Sequence, residues 1–130
     1  MTLPEINALA SCLPDVTISR AVHAGPAGDL SDVGVFRESL LTALHMPTGR
    51  VIVNYHMATL GQGPTLGGHF APVSCYHKDQ DAFLILDPWP DTEPTWASTI
   101  ALWEATVTID TETATTRGVL FLTCAATRTP

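Results

Sequence analysis

The amino-acid sequence predicts an α+β fold, an antiparallel sheet with packed helices. Three observations carry that prediction. Two segments before Pro47 have apolar residues at helical spacing. Runs of β-branched and aromatic residues dominate from Arg50 onward, and a polar tetrad, Lys78-Asp79-Gln80-Asp81, joins two of these runs as a hairpin turn would.

Taken in order, Thr2-x-x-Glu5 has the spacing of a capping box. Pro4 is tolerated in a first helical turn, and Ile6, Leu9 and Leu13 fall on one helical face, so the chain opens with a helix to about Leu13. Asp15 to Val22 alternates Val16 and Ile18 with Thr17 and Ser19 and reads as a half-buried strand, followed by a loop to Leu30. Ser31 or Asp32 caps a second helix, with Val33, Phe36, Leu40 and Leu44 as its apolar stripe, stopped before Pro47 because a residue preceding proline is pushed out of helical geometry. Val51 to Tyr55, His69 to Tyr76, Ala82 to Asp87 and Gly118 to Cys124 are the strands. Between the last two, Trp96, Ile100, Trp103 and Val107 recur as on one helix lying over the sheet, with the Trp89, Trp96 and Trp103 spacing suiting a core stripe.

A length of 130 residues fits a single domain spanning 1–130, and 45% apolar against 15% charged residues supplies a packed core. Six basic against thirteen acidic residues give a formal charge of -7, a field that repels phosphate backbones and anionic lipid, so neither nucleic acid nor a membrane is an expected partner. No run approaches the roughly 20 apolar residues of a bilayer span, and the expectation is a soluble, cytoplasmic protein. Cys12, Cys75 and Cys124 are an odd set in a chain large enough to fold without staples and are expected as reduced thiols. Proline and glycine cluster between His23 and Gly28 and between Gly61 and Gly68, where loops are expected.

The hairpin carries the chemistry. With its turn centred on Lys78, His69 lies directly across from Asp87, with Cβ atoms about 4.5 to 5.5 Å apart. A carboxylate that fixes one imidazole nitrogen leaves the other to take a proton from a thiol or hydroxyl, the base-and-orienter half of a nucleophilic triad; the alternative is a structural hydrogen bond at a hairpin mouth. No cysteine of the chain suits that base. Cys75 is six residues along the same strand, roughly 20 Å away. Cys12 falls at a helix C-terminus, where the dipole disfavours a thiolate, and Cys124 ends the last strand with only Arg128 as a nearby cation. Arg117 either anchors a substrate carboxylate or pairs with Asp110 or Glu112. His23 and His45 lie in or beside loops. His56, His69, Cys75 and His77 have metal-compatible side chains, but Cys75-x-His77 is no established site spacing and His77 sits in the turn, far from His69, so no metal site is expected.

Val53-Asn54-Tyr55-His56, Gly67-Gly68-His69-Phe70-Ala71-Pro72-Val73, Tyr76, Leu84-Ile85-Leu86-Asp87, Trp96, Leu102-Trp103-Glu104-Ala105, Ile109-Asp110 and Arg117-Gly118 together resemble, in order and spacing, the phytochelatin synthases and their bacterial relatives. These are papain-like cysteine peptidases acting on glutathione, and the resemblance covers nearly all of the chain but only the later part of the family's catalytic domain. It implies that His69 is the catalytic base and Asp87 its orienting acid, that Tyr55, His56 and Gly68 line the substrate cleft, and that no cofactor is needed beyond a metal-thiolate of glutathione as substrate. The implied reaction is attack of a cysteine on the Cys-Gly bond, release of glycine, and transfer of the γ-glutamylcysteinyl group to a second glutathione or to water.

The family's nucleophile and oxyanion-hole glutamine belong to a portion before the stretch that Thr2-Leu3 resembles, so the chain is expected to begin mid-domain. Pro88 to Pro94 is acidic where the family carries basic and aromatic residues, and Ser74-Cys75 replaces its small residues. Two functions follow as expectations. One is the His/Asp portion of a γ-glutamylcysteinyl transferase or peptidase, completed by a cysteine-bearing segment or partner chain. The other is a non-catalytic binding or scaffold protein of the same descent that holds a γ-glutamyl ligand. Uncovered strands and helix faces add an expectation of homo-oligomers.

Overall fold

A computed structural model describes residues 1–62 and 67–126. Part of the expected Gly61 to Gly68 loop, and Arg128, lie outside the described residues.

The amino-terminal capping box forms as the spacing requires. The Thr2 hydroxyl accepts the Glu5 amide, and the Glu5 carboxylate accepts the Thr2 amide at 3.1 Å, which starts α1 (Leu3–Ser11). The buried face of α1 is Leu3, Ile6 and Ala10, not the expected Ile6, Leu9 and Leu13. The helix ends before Leu13, and packing of Leu3 and Ala10 with Leu120 turns Leu9 outward, 57% exposed. Next, β1 (Val16–His23) carries a bulge between Val16 and Ile18 that breaks the expected alternation and leaves Ile18 exposed.

Asp32 caps α2 (Val33–His45), its carboxylate accepting the Val35 amide at 2.9 Å, and the helix stops before Pro47. Phe36 and Leu40 are wholly buried, with Leu44 packed beside them. β2 (Gly49–His56), β3 (Gly68–His77), β4 (Ala82–Ile85), β5 (Thr95–Ser98) and, after α3 (Thr99–Thr106), β8 (Gly118–Cys124) complete a six-stranded antiparallel sheet in the order β1-β8-β2-β3-β4-β5. A separate two-residue ribbon, β6 (Ile109–Asp110) with β7 (Thr115–Thr116), turns through Ala114 at φ 56°. The main core fills one face of the sheet, where Val53, Ile85 and Val119 meet Phe36 of α2 and Leu102 of α3. α1 covers Leu120 on the other face.

Two sequence expectations give way here. Trp96 to Val107 is not one helix: Thr95–Ser98 pairs with the outer edge of β4, and the helix starts only at Thr99, capped by the Ser98 hydroxyl on the Ala101 amide. Trp96 is therefore a strand residue, 49% exposed, and Trp89 and Ile100 are also exposed. The buried face of α3 is Leu102, Ala105 and Thr106, and of the expected stripe only Trp103 and Val107 pack against the core, Trp103 against Phe36 at 5.5 Å.

The hairpin turn is also displaced. His77 pairs with Ala82, Tyr76 with Phe83 and Cys75 with Leu84, and past a bulge at Ser74, Val73 pairs with Ile85. In that register Asp87 no longer falls opposite His69, whose paired neighbour, on the other side of β3, is Tyr55 of β2. The turn is set by Asp81, which adopts φ 46°. Its carboxylate takes both the Nε and Nη2 donors of Arg37, at 2.9 and 2.7 Å, together with the Tyr76 and Thr99 hydroxyls. This knot ties α2, the hairpin and the start of α3 to one another. Among the described residues, no helix is long and apolar enough to cross a membrane.

Candidate active site

Although the register does not oppose them, His69 and Asp87 meet. β4 ends at Ile85, Leu86 still bonds to the Pro72 carbonyl at 2.9 Å, and Asp87 lies just past the strand end, free to reach back toward the start of β3. The His69 Nε2 to Asp87 Oδ1 distance is 2.7 Å, and the side chains are 14% and 4% exposed. An ionised carboxylate only accepts, so Nε2 carries the proton. Nδ1 has no partner among the described residues.

Asp87 is held from its other side. The Trp89 amide donates to the same Oδ1 at 2.9 Å, closing an Asx turn, and the Thr92 hydroxyl bonds to the Trp89 carbonyl at 2.6 Å. In the sequence, Pro88 to Pro94 stands out only for its acidic residues, and this support is not foreseen. An aspartate followed by proline and a residue with a free amide is the local signal that points to it.

Tyr55 presents its ring edge-on to the imidazole, with centroids 5.8 Å apart and planes at 83°. It is 0% exposed and its hydroxyl donates to Gln62 Oε1 at 2.7 Å. Burial first, and the nearby Asp87 charge second, hold that hydroxyl's pKa well above the ordinary tyrosine range. Expected as a cleft-lining residue, Tyr55 instead backs the imidazole and offers a ligand no surface. His56 is opposite Gly68, but its Nδ1 is taken by the Thr59 amide and hydroxyl in the turn that follows β2.

Arg117 is 8% exposed at the entry to β8. Its Nη1 donates to the Thr108 hydroxyl and the Ile109 carbonyl, both at 2.9 Å. Asp110 is not its partner, because that carboxylate accepts the Glu112 amide within its own turn. Among the described residues no carboxylate pairs with Arg117. The guanidinium packs on Gly68, where a Cβ would sit 2.7 Å from Nε. A buried cation whose partners among the described residues are all neutral acceptors therefore packs on the residue that precedes His69.

The three thiols are elsewhere. Cys124 pairs with Val16, Cys12 follows α1 just before that strand, and Cys75 stands beyond Val73, which faces Val51. All three mark the end of the sheet away from His69, roughly 20 Å along the strands. Cys12 and Cys75 are exposed. His77 is likewise at that end, bonded to the Gln80 amide, apart from His56.

The chain is similar to known proteins. A family model described as phytochelatin synthase matches residues 1–119. A glutathione gamma-glutamylcysteinyltransferase 3 of Lotus japonicus is 35% identical over 96 residues, covering 71% of this chain and 19% of the relative. A glutathione gamma-glutamylcysteinyltransferase 1 of the same plant is 33% identical over 96 residues, 71% of this chain and 18% of its own length. One from Triticum aestivum is 32% identical over 98 residues, 72% and 19% respectively. The chain spans about a fifth of the length of the curated relatives it matches.

Proposed function

The chain belongs to the phytochelatin synthase family, and on that footing we propose that it provides the base and orienting acid of a glutathione-cleaving cysteine acyltransferase, acting on a thiol from outside residues 1–130. In this reading the six-stranded sheet and its helices are the sheet half of a papain-like fold, one domain over residues 1–130. The observation that carries it is the His69–Asp87 bond of 2.7 Å, which leaves Nδ1 open.

His69 Nδ1 takes the proton of the attacking cysteine, and Asp87 stabilises the imidazolium that results. The thiolate adds to the carbonyl of the Cys-Gly bond of glutathione. As that C–N bond breaks, the imidazolium returns its proton to the leaving glycine nitrogen, and a γ-glutamylcysteinyl thioester remains. His69 then deprotonates the second nucleophile, the amine of another glutathione or a water, which attacks the thioester and frees the thiol. Arg117 is the anchor for a carboxylate of the γ-glutamyl substrate, since its charge is unpaired and a bidentate carboxylate matches its geometry. A metal ion enters only within the substrate, as a metal-thiolate of glutathione.

The test joins this chain to the cysteine-bearing segment of a Lotus japonicus relative and follows glycine release from glutathione. The joined protein releases glycine and the chain alone does not. His69→Ala lowers the rate of the joined protein by about a thousandfold or more. Glycine release undiminished by His69→Ala refutes the proposal.

The placement of every thiol at the far end of the sheet favours a second reading, a non-catalytic protein that binds γ-glutamyl peptides. It expects tryptophan fluorescence of the chain to saturate with glutathione, while the joined protein releases no glycine.

A further inference from the structure

Asp87 fixes the distance to His69 but not the direction in which Nδ1 points. A single Nε2–H···Oδ1 bond lets the imidazole swing about that axis, and a base must be held within roughly 10–20° of its working orientation. Something else has to supply the second constraint. The only ring contact to the imidazole among the described residues is Tyr55, edge-on at 5.8 Å and 83°.

We propose that Tyr55 is a positioning residue for His69: its buried ring is the wall that keeps the imidazole aligned on Asp87, and Gln62 is the anchor that fixes the wall. The proposal rests on the reading of His69 as a base. Tyr55 stands directly opposite His69 across β2 and β3, so the sheet itself sets the spacing of the two rings. At 0% exposure the ring meets neither solvent nor ligand. Its hydroxyl is spent on Gln62 Oε1 at 2.7 Å, which pins the far end of the ring and opposes its swinging about the Cα–Cβ bond. Gln62 is held in turn, its amide bonded to the Met57 carbonyl at 3.0 Å in the turn that closes β2. The line Gln62, Tyr55, His69, Asp87 thus links that turn to the base.

The test reads His69 directly, by nitrogen-15 NMR of the histidine side chains in the full chain without substrate. The unaltered protein shows one tautomer, with a slowly exchanging Nε2–H. Gln62→Leu and Tyr55→Phe each speed that exchange by about 3- to 10-fold, the equivalent of one ordinary hydrogen bond. The double variant is no faster than the faster single one, because both remove the same anchor. Tyr55→Leu removes the wall and gives mixed tautomers.

Backbone amide exchange in β2 and β3 stays unchanged in Gln62→Leu, which separates positioning from general loosening. Unchanged His69 signals in Gln62→Leu and Tyr55→Phe overturn the proposal, as does acceleration of the whole sheet by the same factor. These two variants decide the matter even if Tyr55→Leu does not fold. Failure of the joined protein to release glycine sinks the acyltransferase reading, whereas unchanged His69 signals sink only the positioning role, so the two failures are distinguishable.

Discussion

Gly68→Ala tests whether the Arg117 guanidinium, which packs on Gly68, holds a ligand. An alanine Cβ would lie 2.7 Å from Arg117 Nε, 3.0 Å from Nη2 and 3.2 Å from Cζ. Ordinary contact needs about 3.5–4.0 Å, so the guanidinium must move by the better part of an ångström. Because the obstructing atoms are the far end of a side chain, the fold absorbs the change. The two Nη1 bonds of 2.9 Å to Thr108 and Ile109 do not survive it intact.

Hydrogen bonds to charged groups contribute about 1.5–3 kcal/mol each. Losing the alignment of one costs roughly 1–2 kcal/mol of stability and a similar amount of ligand binding. At 1.4 kcal/mol per decade that is about a tenfold weaker glutathione complex. Calorimetric titration of the chain with glutathione, beside a urea melt of the same sample, measures both. Undiminished affinity with a lowered melt would show that Arg117 is a structural tie and no carboxylate anchor.

Other perturbations have equally definite outcomes. Asp81→Asn removes the charge at the α2–hairpin knot while tolerating φ 46°, and lowers stability by about 1–2 kcal/mol at pH 7, discounted because the ion pair is partly exposed. The Arg37 guanidinium above all, then the Tyr76 and Thr99 hydroxyls, hold the Asp81 carboxyl pKa far below its ordinary 3.8. A depressed folded-state pKa stabilises above the unfolded value and is lost as pH falls through the folded one. The gap between variant and unaltered protein therefore narrows below about pH 4; urea melts at pH 7 and pH 3 that show a constant gap contradict this. Phe36→Ala, at a wholly buried ring against Trp103, costs about 3–5 kcal/mol by thermal or urea melt, and a loss under 1 kcal/mol would mean the core is loosely packed. Trp89→Pro deletes the amide that steadies Asp87. In the joined protein it slows glycine release about tenfold, and an unchanged rate would show that the Asx turn plays no part.

How far the sequence alone leads depends on whether a residue's partner is local. Thr2 with Glu5, and Asp32 before Val33, announce their helices because capping is settled within a few residues. The meeting of His69 and Asp87 was also readable, but through an incorrect register. The bulge at Ser74 and the left-handed Asp81 displace the turn, and the aspartate reaches the imidazole only because β4 ends before it. Bulges depend on the neighbouring strands and leave no periodic mark. Trp96 misleads because its seven-residue spacing from Trp103 suits a helix, whereas the free edge of β4 recruits Thr95–Ser98 as a strand; Trp103 packs against the core as its spacing implies. Tyr55 is marked by the sequence as part of the site, but whether it faces a ligand or backs the His69 imidazole depends on burial.

The segregation of Cys12, Cys75 and Cys124 from the imidazole has a practical bearing. Alkylating reagents can saturate the two exposed sulfurs, or carry dyes onto them, without entering the neighbourhood of His69. If the proposed function holds, iodoacetamide applied to the chain before it is joined to a cysteine-bearing segment leaves glycine release intact, and the same reagent applied afterwards abolishes it; loss of release in the first case would point to a thiol of this chain.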